Sequence, residues 1–147
     1  MQTAKQLSVS LVNKPGRLAA MLASLNKEKV NFRALSVMDS GERGTVRFVP
    51  DDVDAAARVL ETNNIRFEQS DVLLVQVPNQ VGAFGKICEK LASDHLNIDY
   101  AYCSFNADRG KTGVLAVIKV NDLTKAQRVL ETNGVAARPQ RRPGRRP

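Results

Sequence analysis

A six-residue segment of this chain occurs twice without change. Arg-Val-Leu-Glu-Thr-Asn at residues 58–63 recurs at residues 128–133, an offset of 70 positions. Two shorter segments, Asn13-Lys14-Pro15-Gly16 and Asn79-Gln80-Val81-Gly82, correspond at an offset of 66. Repetition at a nearly fixed period is typical of a duplicated folding unit. Any fold for this chain must therefore contain the same arrangement of helices and strands twice.

The offset between matching segments grows from 66 to 70 along the chain, so four extra residues enter the second unit. Val30-Asn31-Phe32 and Leu96-Asn97-Ile98 still show the offset of 66, so the extra residues enter between Asn97 and Arg128. Hairpin tips accept insertions because little packing is lost there. We therefore predict that residues 106–113 form a longer version of the turn at residues 40–44.

The repeat divides the chain into units at residues 1–70 and 71–137. No Gly/Ser-rich linker separates them, so we expect the units to pack together. Residues 138–147 contain five arginines, three prolines and no hydrophobic residue, a composition that predicts a disordered tail. Phosphate binding and solubility are both open as roles of this tail, and we favour solubility because terminal segments tolerate change.

The positive charge of the chain is concentrated in that tail. The whole chain has 22 basic and 15 acidic residues, whereas the chain without its last ten residues has 17 and 15. Aromatic residues, on which bases stack, make up only 5% of the chain. No apolar run of about 18 residues is present to span a membrane, and we see no secretory signal. We expect a cytoplasmic protein that binds neither nucleic acid nor membrane.

The hydrophobic pattern predicts the order β-α-β-β-α-β in each unit. In the first unit, apolar and polar residues alternate at residues 7–11 as in a half-buried strand. A helix face follows, formed by Leu18, Met21, Leu22 and Leu25. The remaining elements predicted for this unit are strands at residues 32–38 and 45–49, a helix capped by Asp51-Asp52 and stopped at Asn63-Asn64, and a short strand at Ile65 and Phe67.

The second unit repeats this order. The apolar run at residues 72–77 predicts a strand that is buried on both faces. The other elements predicted here are a helix with Phe84, Ile87, Cys88 and Leu91 on its apolar face, strands at residues 98–105 and 114–120, a helix capped by Asn121-Asp122, and a weak last strand at residues 135–137. The predicted fold class is α+β, with two tandem ferredoxin-like βαββαβ units whose antiparallel sheets have their helices on one face.

The sequence contains no recognisable catalytic group. His95, the only histidine, lies in a polar stretch and is expected at the surface near a helix end. Cys88 and Cys103 have apolar neighbours, so we expect both to be small buried side chains. No nucleophile motif, metal spacing, phosphate loop or dinucleotide fingerprint is present. We expect a protein that is not an enzyme and that needs no metal or cofactor.

The repeated loop after the first strand of each unit is the candidate binding feature. Its glycine lets a ligand approach the backbone closely, and the N–H groups of the following helix favour an anion such as a carboxylate. An asparagine side chain both donates and accepts hydrogen bonds, so it can recognise an amino acid. Asn and Gly are also common in tight turns, so a purely structural role for these loops remains open.

These motifs resemble the ACT domain, a βαββαβ module of regulated enzymes in amino-acid metabolism. The pattern Asn13-Lys14-Pro15-Gly16-Arg17-Leu18, followed by Val30-Asn31-Phe32, is similar to the start of that module. The second unit has Val81 where proline is usual. The resemblance implies ligand contacts at Asn13, Pro15, Gly16, Leu18, Asn31, Asn79, Gly82, Phe84 and Asn97. Helix packing explains Leu18 and Phe84 equally well.

The resemblance also implies a function. ACT modules bind amino acids at interfaces between paired modules, so we expect an amino acid or related small carboxylate as ligand, a homodimer, and a metabolic enzyme as regulated partner. The alternative is a regulatory subunit that has lost ligand binding and acts through protein–protein contact. The RNA recognition motif shares this topology, but the sequence contains no match to its aromatic motif.

Overall fold

The computed structural model describes residues 2–104 and 113–133. In that part of the chain, six strands and four helices follow the repeated order that the sequence predicts. The elements of the first half are β1 (Gln2–Val12), α1 (Arg17–Lys27), β2 (Phe32–Ser40), β3 (Arg43–Pro50) and α2 (Val53–Thr62). Those of the second half are β4 (Phe67–Val77), α3 (Ala83–Ser93), β5 (Ile98–Cys103), β6 (Val114–Val120) and α4 (Leu123–Asn133).

The repeated six-residue segment forms the same part of a helix in both halves. It lies at the C-terminal end of α2 and again at the end of α4. In α2 the repeated Val59 and Leu60 are buried, and in α4 so are Val129 and Leu130. The predicted caps are also present, because the side chains of Asp52 and Asp122 accept hydrogen bonds from the first turns of their helices. The repeat in the sequence therefore corresponds to a repeat in the structure.

A single antiparallel sheet joins the two halves. Its strand order is β2-β3-β1-β4-β6-β5. The short strand expected at the end of the first unit and the strand expected to open the second are one continuous strand, β4, although Ile65 lies outside it. β4 pairs with β1 from Gln2↔Leu74 to Val9↔Phe67. This shared strand pair accounts for the absence of a linker between the two halves.

The β1–β4 pair has an approximate twofold axis at its centre. Lys5 pairs with Asp71, and these two residues are related by the repeat offset of 66. Their side chains form an exposed ion pair of 2.6 Å. The start of β1 therefore pairs with β4 at the place where the sequence predicted the last strand of the second unit. The strand predicted at residues 135–137 lies outside the described residues.

Two apolar cores lie between the sheet and its helices. The first is built on Leu7, Val9 and Phe48 under α1 and α2. The second is built on Leu73, Val75 and Ile118 under α3 and α4. Residues opposite one another across β1 and β4 share a face, so all four helices lie on the same face of the sheet. The fold class predicted from the sequence is confirmed.

The opposite face of the sheet contains a third core and is not covered by any described helix. Ala34, Val49, Val72, Leu74, Leu115 and Val117 form this core. An isolated bridge between Ala34 and Ser104 connects the two edge strands, so the sheet curls until its edges meet. We call the enclosed surface the inner face. The prediction that residues 72–77 are buried on both faces is confirmed, because alternate residues of β4 enter the second and third cores.

The other half of the inner face is polar. Gln6 is fully buried there. Its Nε2 donates to the Tyr100 hydroxyl at 2.6 Å, and the Tyr102 hydroxyl donates to its Oε1 at 2.7 Å. The Arg47 guanidinium lies 3.9 Å from the centre of the Tyr100 ring. Burial, followed by the neighbouring Tyr100, raises the pKa of Tyr102, although Arg47 opposes this effect.

Raising the pH above the usual tyrosine pKa of about 10 is expected to destabilise the fold partly through Tyr102. The folded state holds the phenol neutral, so the unfolded state loses this proton first and stability falls as pH rises. Urea denaturation from pH 8 to 11 measures this effect against Tyr102→Phe. We expect the stability advantage of the unsubstituted protein to shrink above pH 10. Parallel stability curves for the two proteins would contradict the assignment.

Several side chains differ from their predicted positions. Phe84 is 38% exposed, so it does not belong to the buried face of α3, which Ile87 and Leu91 form. Cys103 is exposed and Cys88 is half-buried, so neither is the buried side chain that was expected. Burial raises the pKa of the Cys88 thiol. Phe84 lies in the first turn of its helix, and Cys103 lies on a short edge strand, so neither is enclosed by neighbouring elements.

Other predictions agree with the structure or fall outside it. His95 is exposed and has a positive φ of 60° in the turn after α3, as its polar surroundings suggested. Asn64 has the left-handed conformation expected after α2, with φ of 58°. Residues 106–112 of the inserted turn and the arginine-rich tail lie outside the described residues. Among the described helices, none is long and apolar enough to cross a membrane.

Candidate ligand-binding site

The helices α1 and α3 begin without a side-chain cap. Each is preceded by a glycine in the left-handed conformation, Gly16 with φ of 89° and Gly82 with φ of 83°. In both helices, no side chain accepts a hydrogen bond from the first turn. The aspartate caps of α2 and α4 fill this role elsewhere in the fold. The N–H groups of Arg17 and Ala83 donate to Lys14 O and Gln80 O. The next N–H groups in the first turns of α1 and α3 remain available for an external acceptor.

The first loop is held against the neighbouring hairpin. The Nδ2 of Asn13 donates to the carbonyl oxygen of Gly41 at 3.1 Å and to Asp39 Oδ1 at 3.3 Å. The backbone N–H of Asn13 also donates to the hairpin, at Glu42 O. The amide nitrogen of Asn13 thus ties β1 to the β2–β3 turn. Its side-chain oxygen is the part of this amide that a ligand can use.

The other predicted residues of the first loop surround the helix start. Pro15 and Gly16 are exposed. A Cβ added to Gly16 would have no neighbour within 4 Å, so the space beside this backbone is open. Leu18 is half-buried and packs against the first core. Core packing therefore accounts for Leu18, while Pro15 and Gly16 border open space.

The second loop borders a pocket with a volume of about 540 Å³. Asn79, Gly82 and Phe84 line it, so three of the predicted ligand contacts lie together. The exposed Phe84 and the fully exposed Val81 place apolar surface at this loop. Gly113, from the far side of the hairpin, also lines the pocket. From the sequence, Gly113 was placed in the inserted turn but was not identified as a pocket residue. Its signal was available, because a glycine in a hairpin turn commonly has a positive φ.

Asn31 and Asn97 lie far from the loops of their own units. Leu35 of β2 and Leu7 of β1 both lie opposite Phe48 of β3, and the two strands run in the same direction. At ~3.3 Å per residue, Asn31 and Asn13 are therefore roughly 30 Å apart along the sheet. Within one chain, a single small ligand cannot contact both asparagines.

Asn31 and Asn97 share a structural role at the start of the two edge strands. The N–H of Asn31 donates to Asp51 Oδ1, and the N–H of Asn97 donates to Asn121 Oδ1. The Asn97 Nδ2 also donates to Asp99 Oδ1 at 2.9 Å. These bonds fix the entry of the chain into β2 and β5. Both residues are nevertheless exposed, so a second molecule can reach their side chains.

The two glycine loops lie at opposite ends of the β1–β4 pair. Asn13 follows the end of β1 and Asn79 follows the end of β4, and these strands are antiparallel. The chain therefore presents two separate helix starts rather than one combined site. In the part of the chain that the structure describes, no group of three His, Cys, Asp or Glu side chains is arranged to hold a metal ion.

The duplicated βαββαβ order, the glycine loops and the shared sheet agree with a family model. The model describes an ACT domain pair and matches residues 2–137. This chain belongs to the ACT family. A solved structure of a protein from Bacteroides thetaiotaomicron is similar, with 31% sequence identity and a TM-score of 0.82. That alignment covers 90% of this chain and 89% of the other.

Other similar structures share the fold of this ACT pair at lower identity. The ligand-free regulatory subunit of aspartate kinase from Thermus thermophilus has a TM-score of 0.64 and 16% identity, with 92% of this chain and 93% of that chain covered. The corresponding subunit from Thermus flavus has a TM-score of 0.60 and 16% identity, with coverage of 92% and 97%. No curated protein sequence matches the chain.

Proposed function

We propose that this ACT pair binds an amino acid at the uncapped start of a helix and thereby regulates a metabolic enzyme without catalysing a reaction itself. The observation that carries the proposal is the contrast between its helices. α2 and α4 are capped by aspartates, whereas α1 and α3 start at left-handed glycines beside exposed loops. An uncapped helix start attracts a carboxylate through its N–H groups and its dipole.

The second loop offers the better-formed pocket. A ligand carboxylate at the start of α3 lies beside Gly82, where a Cβ would meet nothing within 4 Å. Asn79 supplies an amide that can accept a hydrogen bond from the ligand ammonium group. Phe84, which lines the pocket, supplies exposed apolar surface for the ligand side chain. These groups favour an amino acid with an apolar side chain.

The first loop matches the family motif more fully, but its asparagine has fewer groups available to a ligand. Pro15 and Gly16 preserve the motif, yet the Asn13 amide nitrogen is occupied by the hairpin. A ligand here would use the N–H groups of α1 and the Asn13 oxygen. We therefore propose unequal sites, with the stronger one at α3.

Regulation requires a second molecule. Asn31 and Asn97 are exposed but lie away from the loops of their own units, so we propose that they contribute to a ligand site in a homodimer. A ligand held between two copies stabilises one arrangement of them, and this difference in affinity constitutes the regulatory signal. Two structures with the same fold are named regulatory subunits of aspartate kinase, which supports a metabolic enzyme as the partner.

An amino acid of the preferred type is expected to raise the unfolding midpoint of this protein. At 100 times its Kd, a ligand adds ~2.7 kcal/mol of stability, which corresponds to roughly 5–10 °C for a domain of this size. Thermal unfolding against the twenty amino acids measures the shift. Asn79→Ala should abolish most of it without changing the ligand-free midpoint, because no hydrogen bond ties this side chain to the described residues.

Two further variants make this test specific. Asn26→Ala, at the exposed C-terminal end of α1, is the matched control and should keep the full shift. Asn13→Ala should lower the ligand-free midpoint, because it removes two hydrogen bonds to the hairpin. If no amino acid shifts the midpoint at a concentration of several millimolar, the proposal of amino-acid binding is wrong. The alternative of a regulatory subunit acting by protein contact alone then replaces it.

A further inference from the structure

The polar half of the inner face opens into a second pocket, remote from the α3 loop. Its volume is about 610 Å³. Arg47, Arg66 and Lys119 line it together with a single acidic residue, Glu68. These side chains come from β3, the segment before β4, β6 and β4, so the curl of the sheet brings them together. The lining residues have a net charge of +2, partly offset by Asp99 beside Lys119, and this excess of positive charge favours an anionic occupant.

The floor of this pocket has more hydrogen-bond donors than acceptors. The Tyr100 hydroxyl accepts from Gln6 Nε2, so its own proton remains available to a ligand. Among the described residues, Arg47 Nε is one of two buried side-chain atoms without a hydrogen-bond partner. The Lys119 ammonium is only 3.8 Å from Asp99 Oδ2 and 3.4 Å from a carbonyl oxygen. The Tyr100 proton and Arg47 Nε therefore lack an acceptor, whereas Lys119 already has two long contacts. An anion with several oxygens would supply closer acceptors to all three groups.

The second half of the inner face shows that the fold does not require this polarity. Ser8 pairs with Arg47, and the equivalent pair related by the approximate twofold axis is Leu74 with Val117. Gln6 corresponds in the same way to Val72 through the offset of 66. The apolar residues of the equivalent half are buried and form the third core. The same backbone thus closes around apolar side chains, so the polar, open half needs a separate explanation.

We propose that the inner-face pocket is a binding site for a small dianion, such as a phosphate ester or a dicarboxylate, held by Arg47, Lys119 and the Tyr100 hydroxyl. The face of the Arg47 guanidinium is stacked on the Tyr100 ring, so its edge is oriented to bind two oxygens of one group. Lys119 neutralises a second negative charge from the opposite side. This site is separate from both glycine loops, so it provides a second input to the same regulator.

Calorimetric titration at constant ionic strength tests the proposal with inorganic phosphate and succinate as probes. We expect saturable binding of at least one of these dianions and none of acetate or chloride. Arg47→Gln should weaken it about tenfold or more, because a buried charge-assisted interaction is lost. Lys119→Gln, at the half-exposed wall, should weaken it without affecting folding. The two probes distinguish a phosphate site from a dicarboxylate site.

Two controls separate this site from general charge effects and from the proposed amino-acid site. Arg33→Gln removes one positive charge from an exposed position outside the pocket and should leave the dianion affinity unchanged. Asn79→Ala should likewise leave it unchanged. Equal weakening by Arg33→Gln and Arg47→Gln would overturn the proposal, as would the absence of saturable binding by either dianion. A failure of amino-acid binding alone would leave the dianion result standing.

Discussion

Replacing Gly113 with alanine is expected to lower the free energy of unfolding by more than about 3 kcal/mol. Gly113 has φ of 99°, a conformation that disfavours any residue with a Cβ. A Cβ at this position would also overlap the carbonyl oxygen of Val77 and lie 2.9 Å from the Cα of Pro78. Both neighbours are backbone atoms at the end of a buried strand, so they cannot rotate away. The substitution must displace the chain where β4 enters the second loop.

Gly82→Ala is the matched control for this prediction. Gly82 has a similar φ of 83°, but a Cβ there would meet nothing within 4 Å. Its substitution should cost only the conformational strain, about 1–2 kcal/mol. Urea denaturation of both variants measures the difference. Equal losses of stability in the two variants would contradict the prediction. They would show that the backbone near Gly113 moves easily to accommodate a Cβ, so that the close contact with Val77 does not constrain the pocket.

The duplicated architecture was predictable because the repeat and the helical spacing are local signals. Met21, Leu25, Ile87 and Leu91 are buried as their periodicity indicated. Local signals did not predict that two expected strands join into the single strand β4. Residues 68–71 are Glu-Gln-Ser-Asp, which resembles a break between units. These polar residues remain in the strand because they pair with residues 5–8 of β1 between the two helix pairs.

The candidate site was predictable as a motif but not as an arrangement. The glycine loops stand where the sequence placed them, and three predicted residues of the second loop share one pocket. The hydrogen bonds from Asn13 to Gly41 depend on how the hairpin packs against the loop, which local sequence does not contain. The separation of Asn31 from Asn13 depends likewise on strand register. Phe84 has the spacing of a core residue, but its position in the first helical turn leaves it exposed.

The inner face was the least predictable part of the molecule. Gln6, Ser8 and Ser10 alternate with Leu7 and Val9, which is also the pattern of a strand with one face in water. The curl of the sheet buries Gln6 on that face and half-buries Ser8, while Ser10 stays exposed. Its closure depends on contact between residues far apart in sequence, such as the bridge between the two edge strands. Alternation alone cannot distinguish an enclosed polar face from an exposed one.

Replacing Gln6 with leucine is expected to destabilise the fold by about 2–3 kcal/mol, although leucine is apolar and similar in size. The Gln6 amide is fully buried and is hydrogen-bonded to the Tyr100 and Tyr102 hydroxyls. Leucine would leave both half-buried hydroxyls without this partner, and the loss of a hydrogen bond within the fold is destabilising. Urea denaturation measures the loss.

The triple variant Gln6→Leu, Tyr100→Phe, Tyr102→Phe determines whether this loss comes from the network or from packing. Removing the hydroxyls together with the amide leaves no unpaired group, so most of the stability should return. A triple variant no more stable than Gln6→Leu alone would mean that side-chain packing, and not hydrogen bonding, is what Gln6 provides. Recovery would mean that an apolar inner face is compatible with this half of the sheet, as it is in the twofold-related half. Stability would then not require the polar network. Only in that case can the polar residues be attributed to ligand binding.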